Sequence, residues 1–206
     1  MTTTNFNTDD NDCDGDISGG NNVCVTSVDN SGNSGVCGYD ATGRCITDGL
    51  GTEHRFCGSF PTGSLPDDAI ISSAKYYFYV SLITKSKGAY DPSWEIDLVT
   101  RKDFIGDELT TAHWAFGATE ASLTCPQTTG WKNITIPVGE IHVDGDTDIC
   151  IRPNAALVAY CEAGSKKQLY TITTNEGGAN KPYLEIVYTV PEVSGVITRT
   201  LLGVGL

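Results

Sequence analysis

Residues 54–80 have the sequence HRFCGSFPTGSLPDDAIISSAKYYFYV, and residues 180–189 have the sequence NKPYLEIVYT. The first stretch holds two strand-like runs around a turn of Pro, Gly, Ser and Asp. In the second run, from Ala74 to Val80, successive residues are expected to face alternately toward and away from the core. The strand of the later stretch starts just after Pro182. Proline lacks the N–H that a strand donates to its neighbour, and this loss destabilises a sheet least at the start of a strand. Both stretches predict strands of a β-sandwich.

The spacing of the remaining strand-like segments supports this fold class. Turns such as Ser86-Lys87-Gly88 and Gly177-Gly178 separate them, which favours a sandwich over alternating strands and helices. Residues 102–123 are the least strand-like and predict a helical turn and a long loop. We expect an all-β, jelly-roll-like antiparallel β-sandwich, with an early strand at 23–25 and core strands near 54–60, 74–84, 94–100, 131–137, 147–152, 155–161, 167–174 and 183–190.

The two stretches also resemble a known family. The pattern runs from Arg55 and Phe60 through Leu65-Pro66 to Tyr77-x-Tyr79-Val80, and it closes with Asn-Lys-Pro-Tyr-Leu-x-Ile-x-Tyr-Thr at 180–189. It is similar to the disaggregatase-related (DNRLRE-like) modules. The resemblance implies a jelly-roll sandwich shaped like a carbohydrate-binding module, of the kind carried by secreted, surface and virion proteins.

The length of 206 residues allows one substantial core, so we expect a single folded domain. We divide the chain into a flexible acidic N-terminus at 1–12, a sandwich with a cysteine-rich edge at 13–190, and an apolar C-terminal arm at 191–206. The polar first segment is expected to be mobile until it is tied down.

Charge and terminal sequence exclude several classes of partner. A net charge of −13 repels a phosphate backbone, so we expect no nucleic-acid partner. No apolar run is long enough to span a membrane. Residues 1–6 (MTTTNF) contain no basic region, apolar region or cleavage site, so we expect no signal peptide. A disulfide-containing protein without a signal peptide could leave the cell inside a particle, or it could be a secreted fragment that was given a new Met. The Thr- and Asn-rich start favours the first explanation.

The cysteines are even in number and dispersed, without zinc-like spacing, which favours disulfides in an oxidising environment. Eight cysteines allow 105 connectivities, so the sequence leaves the pairing open. We expect most to be paired, with local bridges within residues 13–57, because Cys37 and Cys45 bracket a short Gly-containing loop. The candidate disulfide cysteines are Cys13, Cys24, Cys37, Cys45, Cys57, Cys125, Cys150 and Cys161.

The densest acidic run is a candidate calcium loop. Its carboxylates alternate, and Gly15 stands where a calcium loop turns sharply. Asn21 replaces the closing bidentate Glu, which excludes an EF-hand but not a calcium loop on a sandwich. A solvated acidic tail explains the same run equally well. The candidate ligands are Asp10, Asp12, Asp14 and Asp16.

Aromatic residues in loops are candidate platforms for sugars, whose C–H faces pack against rings. Tyr90 and Trp114 are the candidates, whereas Trp94 and Trp131 are predicted to lie in the core. Asn133-Ile134-Thr135 matches a glycosylation acceptor, but it lies in a predicted strand and no eukaryotic secretory route is indicated.

No catalytic motif accompanies these features. The three His residues are far apart, and no nucleophile elbow, HExxH sequence or phosphate loop occurs. Glu95 and Asp97 alternate on one strand face but look like surface charges. A glycosidase, whose two carboxylates need no local motif, is disfavoured because the acids concentrate in loops.

The last residues, VSGVITRTLLGVGL at 193–206, are apolar and follow a Pro that ends the closing strand. We expect Ile197, Leu201 and Leu202 to contact a protein partner, either a capsid or a sister subunit. An extra edge strand on its own domain is the alternative.

These features predict a non-enzymatic structural or adhesive protein. The favoured function is decoration or cementing of a phage virion surface, with disulfides and calcium as stabilising elements. The alternatives are a secreted carbohydrate-binding module that contacts a surface glycan, and a subunit of an extracellular filament. The arm separates them, because a binding module needs no apolar tail.

Overall fold

The structure is a computed structural model that describes residues 1–7, 14–19, 27–29, 34–40, 51–86, 88, 91–105, 117–163, 166–174 and 179–191. These residues form twelve strands and one α-helix, α1 (Ala155–Ala163). The strands are β1 (Thr2–Asn7), β2 (Asp14–Gly19), β3 (Ser27–Asp29), β4 (Ser34–Asp40), β5 (Thr52–Phe60), β6 (Ile70–Lys85), β7 (Glu95–Lys102), β8 (Ala121–Thr124), β9 (Gly130–Ile136), β10 (Thr147–Pro153), β11 (Lys167–Thr173) and β12 (Tyr183–Thr189).

The strands pair antiparallel and pack as two sheets, which confirms the predicted all-β sandwich. The strands are hydrogen-bonded in the order β1-β12-β6-β11-β4-β5-β10-β7-β8, and β9 pairs with β6. We call β1, β12, β6 and β9 the first sheet, and β11, β4, β5, β10, β7 and β8 the second sheet. The hairpin of β2 and β3 pairs with β5.

The long strand β6 links the two sheets. Its first half pairs with β12 and β9, and its end, from Val80 to Lys85, pairs with β11. The register shifts between Thr171 and Ile172, opposite the point where β6 leaves the first sheet. A local irregularity of this kind bends a strand and lets it continue into a second sheet.

The core lies between the sheets and follows the two-residue period of the strands. In β6, Ala74, Tyr76, Phe78 and Val80 are fully buried or nearly so, while the residues between them are partly exposed. The Tyr76 ring lies 5.7 Å from the ring of Phe60, edge to face, so aromatic packing joins β6 to β5 across the core.

The prediction of a strand at 155–161 is wrong, because this segment belongs to α1. Pro153 ends β10, and the side chain of Asn154 caps the helix by accepting a hydrogen bond from the N–H of Leu157 at 2.9 Å. Leu157 and Cys161, one turn apart, are buried against the core. A short apolar run does not by itself distinguish a strand from a buried helix.

Five strands that the sequence did not predict join the sheets, namely β1, β2, β3, β4 and β8. The start of the chain is tied down as β1, which pairs with β12 from Thr2 opposite Tyr188 to Asn7 opposite Tyr183 and buries Phe6. Strand β8 starts near the end of the stretch 102–123, which was predicted as a helical turn and a loop, and pairs with β7. In the described ranges, no helix is long and apolar enough to cross a membrane.

Candidate functional site

Four aromatic side chains cluster on the surface of the first sheet that faces away from the core. Tyr77 stacks on Tyr183 with ring centroids 4.6 Å apart and planes 8° from parallel. Trp131 lies edge-on to Tyr79 and to Tyr183, at 5.5 Å from each ring. The pairing of Tyr77 with Tyr183 and of Tyr79 with Trp131 across β12, β6 and β9 brings them together. We call these four residues the aromatic face.

The prediction that Trp131 lies in the core is wrong, because this side chain is 42% exposed. The prediction for Trp94 is confirmed: it is buried and packs on Tyr160. The parity of β9 explains the difference, since Ile134 and Ile136 point into the core and place Trp131 on the opposite side. This signal was available in the sequence.

Polar groups border the aromatic face. The Tyr77 hydroxyl is hydrogen-bonded to Glu185, and burial, then this carboxylate, raises the pKa of Tyr77. Burial likewise raises the pKa of Tyr183, so both hydroxyls stay protonated donors at neutral pH. Exposed Asn133 lies opposite Tyr77 on β9. The result is an aromatic surface with hydrogen-bond donors and acceptors at its border.

A second concave site lies where α1 meets the second sheet. It is a cavity of about 380 Å³ whose charged lining comes from β5, β7, β10 and α1, and whose apolar wall includes Val158 and Ala159. We call it the charged cleft; its charged residues are Glu53, Arg55, Asp97, Arg152 and Glu162. Arg152 lies opposite Asp97 in the pairing of β10 with β7.

Some polar groups of the charged cleft are already hydrogen-bonded within the protein, and others can still bind a ligand. The Arg55 Nε donates to Glu53 Oε1 at 2.7 Å, and burial lowers the pKa of this guanidinium. Asp97 Oδ2 accepts from the Thr119 hydroxyl at 2.9 Å, and burial raises the pKa of Asp97, opposed by Thr119 and Arg152. Among the described residues, Arg152 Nη2 makes long contacts of 3.4 Å, to the Gly117 carbonyl and the Thr119 hydroxyl.

A disulfide lies beside the charged cleft. Cys57 and Cys150 are opposite each other in the pairing of β5 with β10, are fully buried and are bonded, at a sequence separation of 93. This confirms that the protein contains a disulfide. The bond of Cys57 is not one of the local bridges expected within residues 13–57. No sequence signal identified this pair, because the two cysteines meet only through the sheet topology.

Other cysteines depart from the expected pairing. Cys37 carries a free thiol, so the predicted bridge to Cys45 is not formed, and Cys125 is also a free thiol. Burial raises the pKa of both thiols, that of Cys125 to about 12, and Cys125 is hydrogen-bonded to Tyr170. Cys161 is buried in the same core cluster. Thiols with such a raised pKa are poor nucleophiles, so they act as core residues.

Asp148 is a buried carboxylate with a structural role. Its Oδ2 accepts hydrogen bonds from the backbone N–H groups of Phe104 and Ile105 and thereby holds the turn after β7. Burial raises the pKa of Asp148, and hydrogen bonds from Ser59 and from these two N–H groups oppose the shift.

Several predicted site residues lie outside the part of the chain that the structure describes. Asp14 and Asp16 lie in β2, for which only the backbone is described, and at no place among the described side chains are three or more His, Cys, Asp or Glu residues arranged to hold a metal ion. The calcium site therefore stays a prediction. The undescribed site residues are Asp10, Asp12, Cys13, Cys24, Cys45, Tyr90, Trp114, Ile197, Leu201 and Leu202.

The chain matches no protein-family model and no curated protein at a significant level. The resemblance to the disaggregatase-related modules therefore stays a prediction from the sequence pattern.

Proposed function

We propose that this protein is a non-enzymatic adhesive module that binds a glycan on its aromatic face. The observation that carries the proposal is the cluster of Trp131, Tyr79, Tyr77 and Tyr183 on the outside of the first sheet, in which Trp131 is exposed and the three Tyr side chains are half-buried. Pyranose rings have apolar C–H faces that pack on aromatic faces, while hydroxyls at their edges need donors and acceptors. Glu185 and Asn133 supply such groups beside the rings.

The geometry of the cluster suits a ligand more than a purely structural role. Inward-facing residues of β6 and β9 already fill the core, so the aromatic face adds nothing to it. Exposure of large aromatic side chains in a contiguous group is typical of interaction surfaces. The nearly parallel Tyr77 and Tyr183 rings are preorganised, which lowers the entropy cost of binding.

The setting that we propose is the outside of a phage particle, where the protein would decorate or cement the capsid. The cross-strand disulfide of Cys57 and Cys150 supports an oxidising, extracellular environment. A secreted carbohydrate-binding module and a filament subunit are the alternatives. The apolar residues after Pro191 favour the particle or the filament, because they offer a way to hold a protein partner.

Binding to immobilised polysaccharides tests the proposal. We expect the protein to bind at least one glycan of a diverse array and Trp131→Ala to weaken that binding about tenfold or more, by analogy with the roughly 1–3 kcal/mol of base stacking on aromatic side chains. Val138→Ala is the control, because Val138 is an exposed apolar residue of the 3-10 turn after β9. Equal binding by Trp131→Ala, or binding to no glycan by the unmodified protein, contradicts the proposal.

A further inference from the structure

We propose that the charged cleft is a second, independent binding site, which takes a single neutral sugar residue such as the terminal unit of a glycan. The inference does not depend on the aromatic face, since the cleft belongs to the second sheet and to α1. Its volume of about 380 Å³ lies within the range of small-molecule sites, which is about 300–1,000 Å³.

The charge of the cleft selects against acidic ligands. Its lining has two guanidinium groups and three carboxylates, and the Arg55 guanidinium already pairs with Glu53. The protein as a whole carries a net charge of −13. A phosphate, sulfate or uronate would be repelled by the net charge of the cleft and by that of the whole protein, so a neutral ligand fits better.

The polar groups match adjacent sugar hydroxyls. Among the described residues, the Asp97 carboxylate accepts one hydrogen bond, from the Thr119 hydroxyl to Oδ2, which leaves Oδ1 as an acceptor. The contacts of Arg152 with the described residues are 3.4 Å long, so this guanidinium keeps donors for a stronger hydrogen bond. A hydroxyl both donates and accepts, so neighbouring hydroxyls can donate to Asp97 and accept from Arg152, which are charge-assisted hydrogen bonds.

The rest of the cleft supplies an apolar wall and a rigid frame. Pro153, Val158 and Ala159 offer an aliphatic surface for the C–H face of a sugar. The Asn154 cap fixes the start of α1. The bond between Cys57 and Cys150 holds β5 to β10 at the position next to the pair of Phe56 and Ile151. A site built on rigid elements needs little ordering when a ligand binds.

The test is a protein-observed NMR titration of the full chain with glucose, galactose, mannose and N-acetylglucosamine, each added separately. The amide of Ala159 reports on the cleft, and the indole N–H of Trp131 reports on the aromatic face. We expect a saturable shift at Ala159 with at least one sugar, whether or not Trp131 responds. Failure at Trp131 alone therefore counts against the proposed function and leaves the cleft supported.

Matched variants on one helix make the test specific. Ala159→Leu fills the cleft and is expected to weaken the binding seen at this site about tenfold or more. Ala156→Leu, at an exposed position of α1 outside the cleft, should leave it unchanged. Asp97→Asn should also weaken binding, because the amide loses an acceptor oxygen. For the Ala159→Leu titration, the Val158 amide replaces the altered residue as reporter.

Three outcomes overturn the proposal. They are the absence of a saturable shift at Ala159 with every sugar, unchanged affinity in Ala159→Leu, and saturation by the zwitterion glycine in place of a sugar. A thermal melt of Ala159→Leu that coincides with that of Ala156→Leu shows that the first variant is folded, so that its loss of binding reports on the cleft.

Discussion

The disulfide between Cys57 and Cys150 should contribute a large part of the stability of the sandwich. We expect the double variant Cys57→Ala/Cys150→Ala to fold but to unfold much more easily. Both positions are fully buried, so Ala, which adds no unsatisfied hydroxyl, is a better replacement than Ser. The main effect lies in the unfolded chain, because a bond across 93 residues restricts its conformations.

The size of the effect follows from that separation. For 93 residues, the chain-entropy relation gives about 4.6 kcal/mol at 25 °C, near the upper end of the roughly 2–5 kcal/mol usually lost with a native disulfide. A domain of this length loses about 2–4 °C of melting temperature per kcal/mol, so Tm should fall by about 9–18 °C.

Chemical denaturation without reductant measures this difference, and mass mapping of the digested native protein should find the peptides of Cys57 and Cys150 linked. Cys37→Ala is the matched control: it removes a buried sulfur without breaking a bond and should cost only about 1 kcal/mol from the lost burial and the small cavity. A free energy of unfolding of the double variant within about 1 kcal/mol of that of the unmodified protein would contradict this role of the disulfide.

Three further predictions concern pH, calcium and assembly. Because burial raises the pKa of Asp148, the folded state holds its proton longer than the unfolded state, and stability should fall as pH rises from about 4 through the folded pKa. Asp148→Asn should flatten this slope in urea unfolding; an unchanged slope contradicts the assignment. If calcium binds at Asp12, Asp14 and Asp16, chelation should lower Tm, whereas an unchanged melt in excess chelator leaves only the solvated-tail interpretation. Leu201→Asp should weaken assembly in size-exclusion chromatography without changing Tm, and normal assembly of this variant argues against the cement and filament functions.

Strands β1 to β4 and β8 were not predicted, and β5 and β10 are buried along most of their length instead of alternating. Strand β6 was predictable because it presents a two-residue alternation to the core. The run from Ala74 to Val80 shows this, and its buried and exposed positions in β6 follow the pattern. The helix α1 was missed because its apolar residues form a short continuous run. Asn154, an N-cap residue directly after Pro153, was the local signal that favoured a helix there.

The sites depend on topology to different extents. The exposure of Trp131 follows from the parity of β9 and was within reach of the sequence, but the meeting of Trp131 with Tyr183 requires β9 and β12 to flank β6. The charged cleft could not be predicted. Its residues come from separate strands and a helix, and Glu95 and Asp97 looked alike until the fold placed Asp97 beside Arg152.

The position of β12 has a mechanical consequence. It is hydrogen-bonded to β1 on one side and to β6 on the other, and Pro191 follows closely after its last residue, Thr189. Antiparallel ladder bonds run perpendicular to the strands, so a pull along the axis of β12 loads both ladders in shear and strains many bonds together. Tension entering through Pro191 would thus reach the sheet that carries Trp131 without first peeling an edge strand.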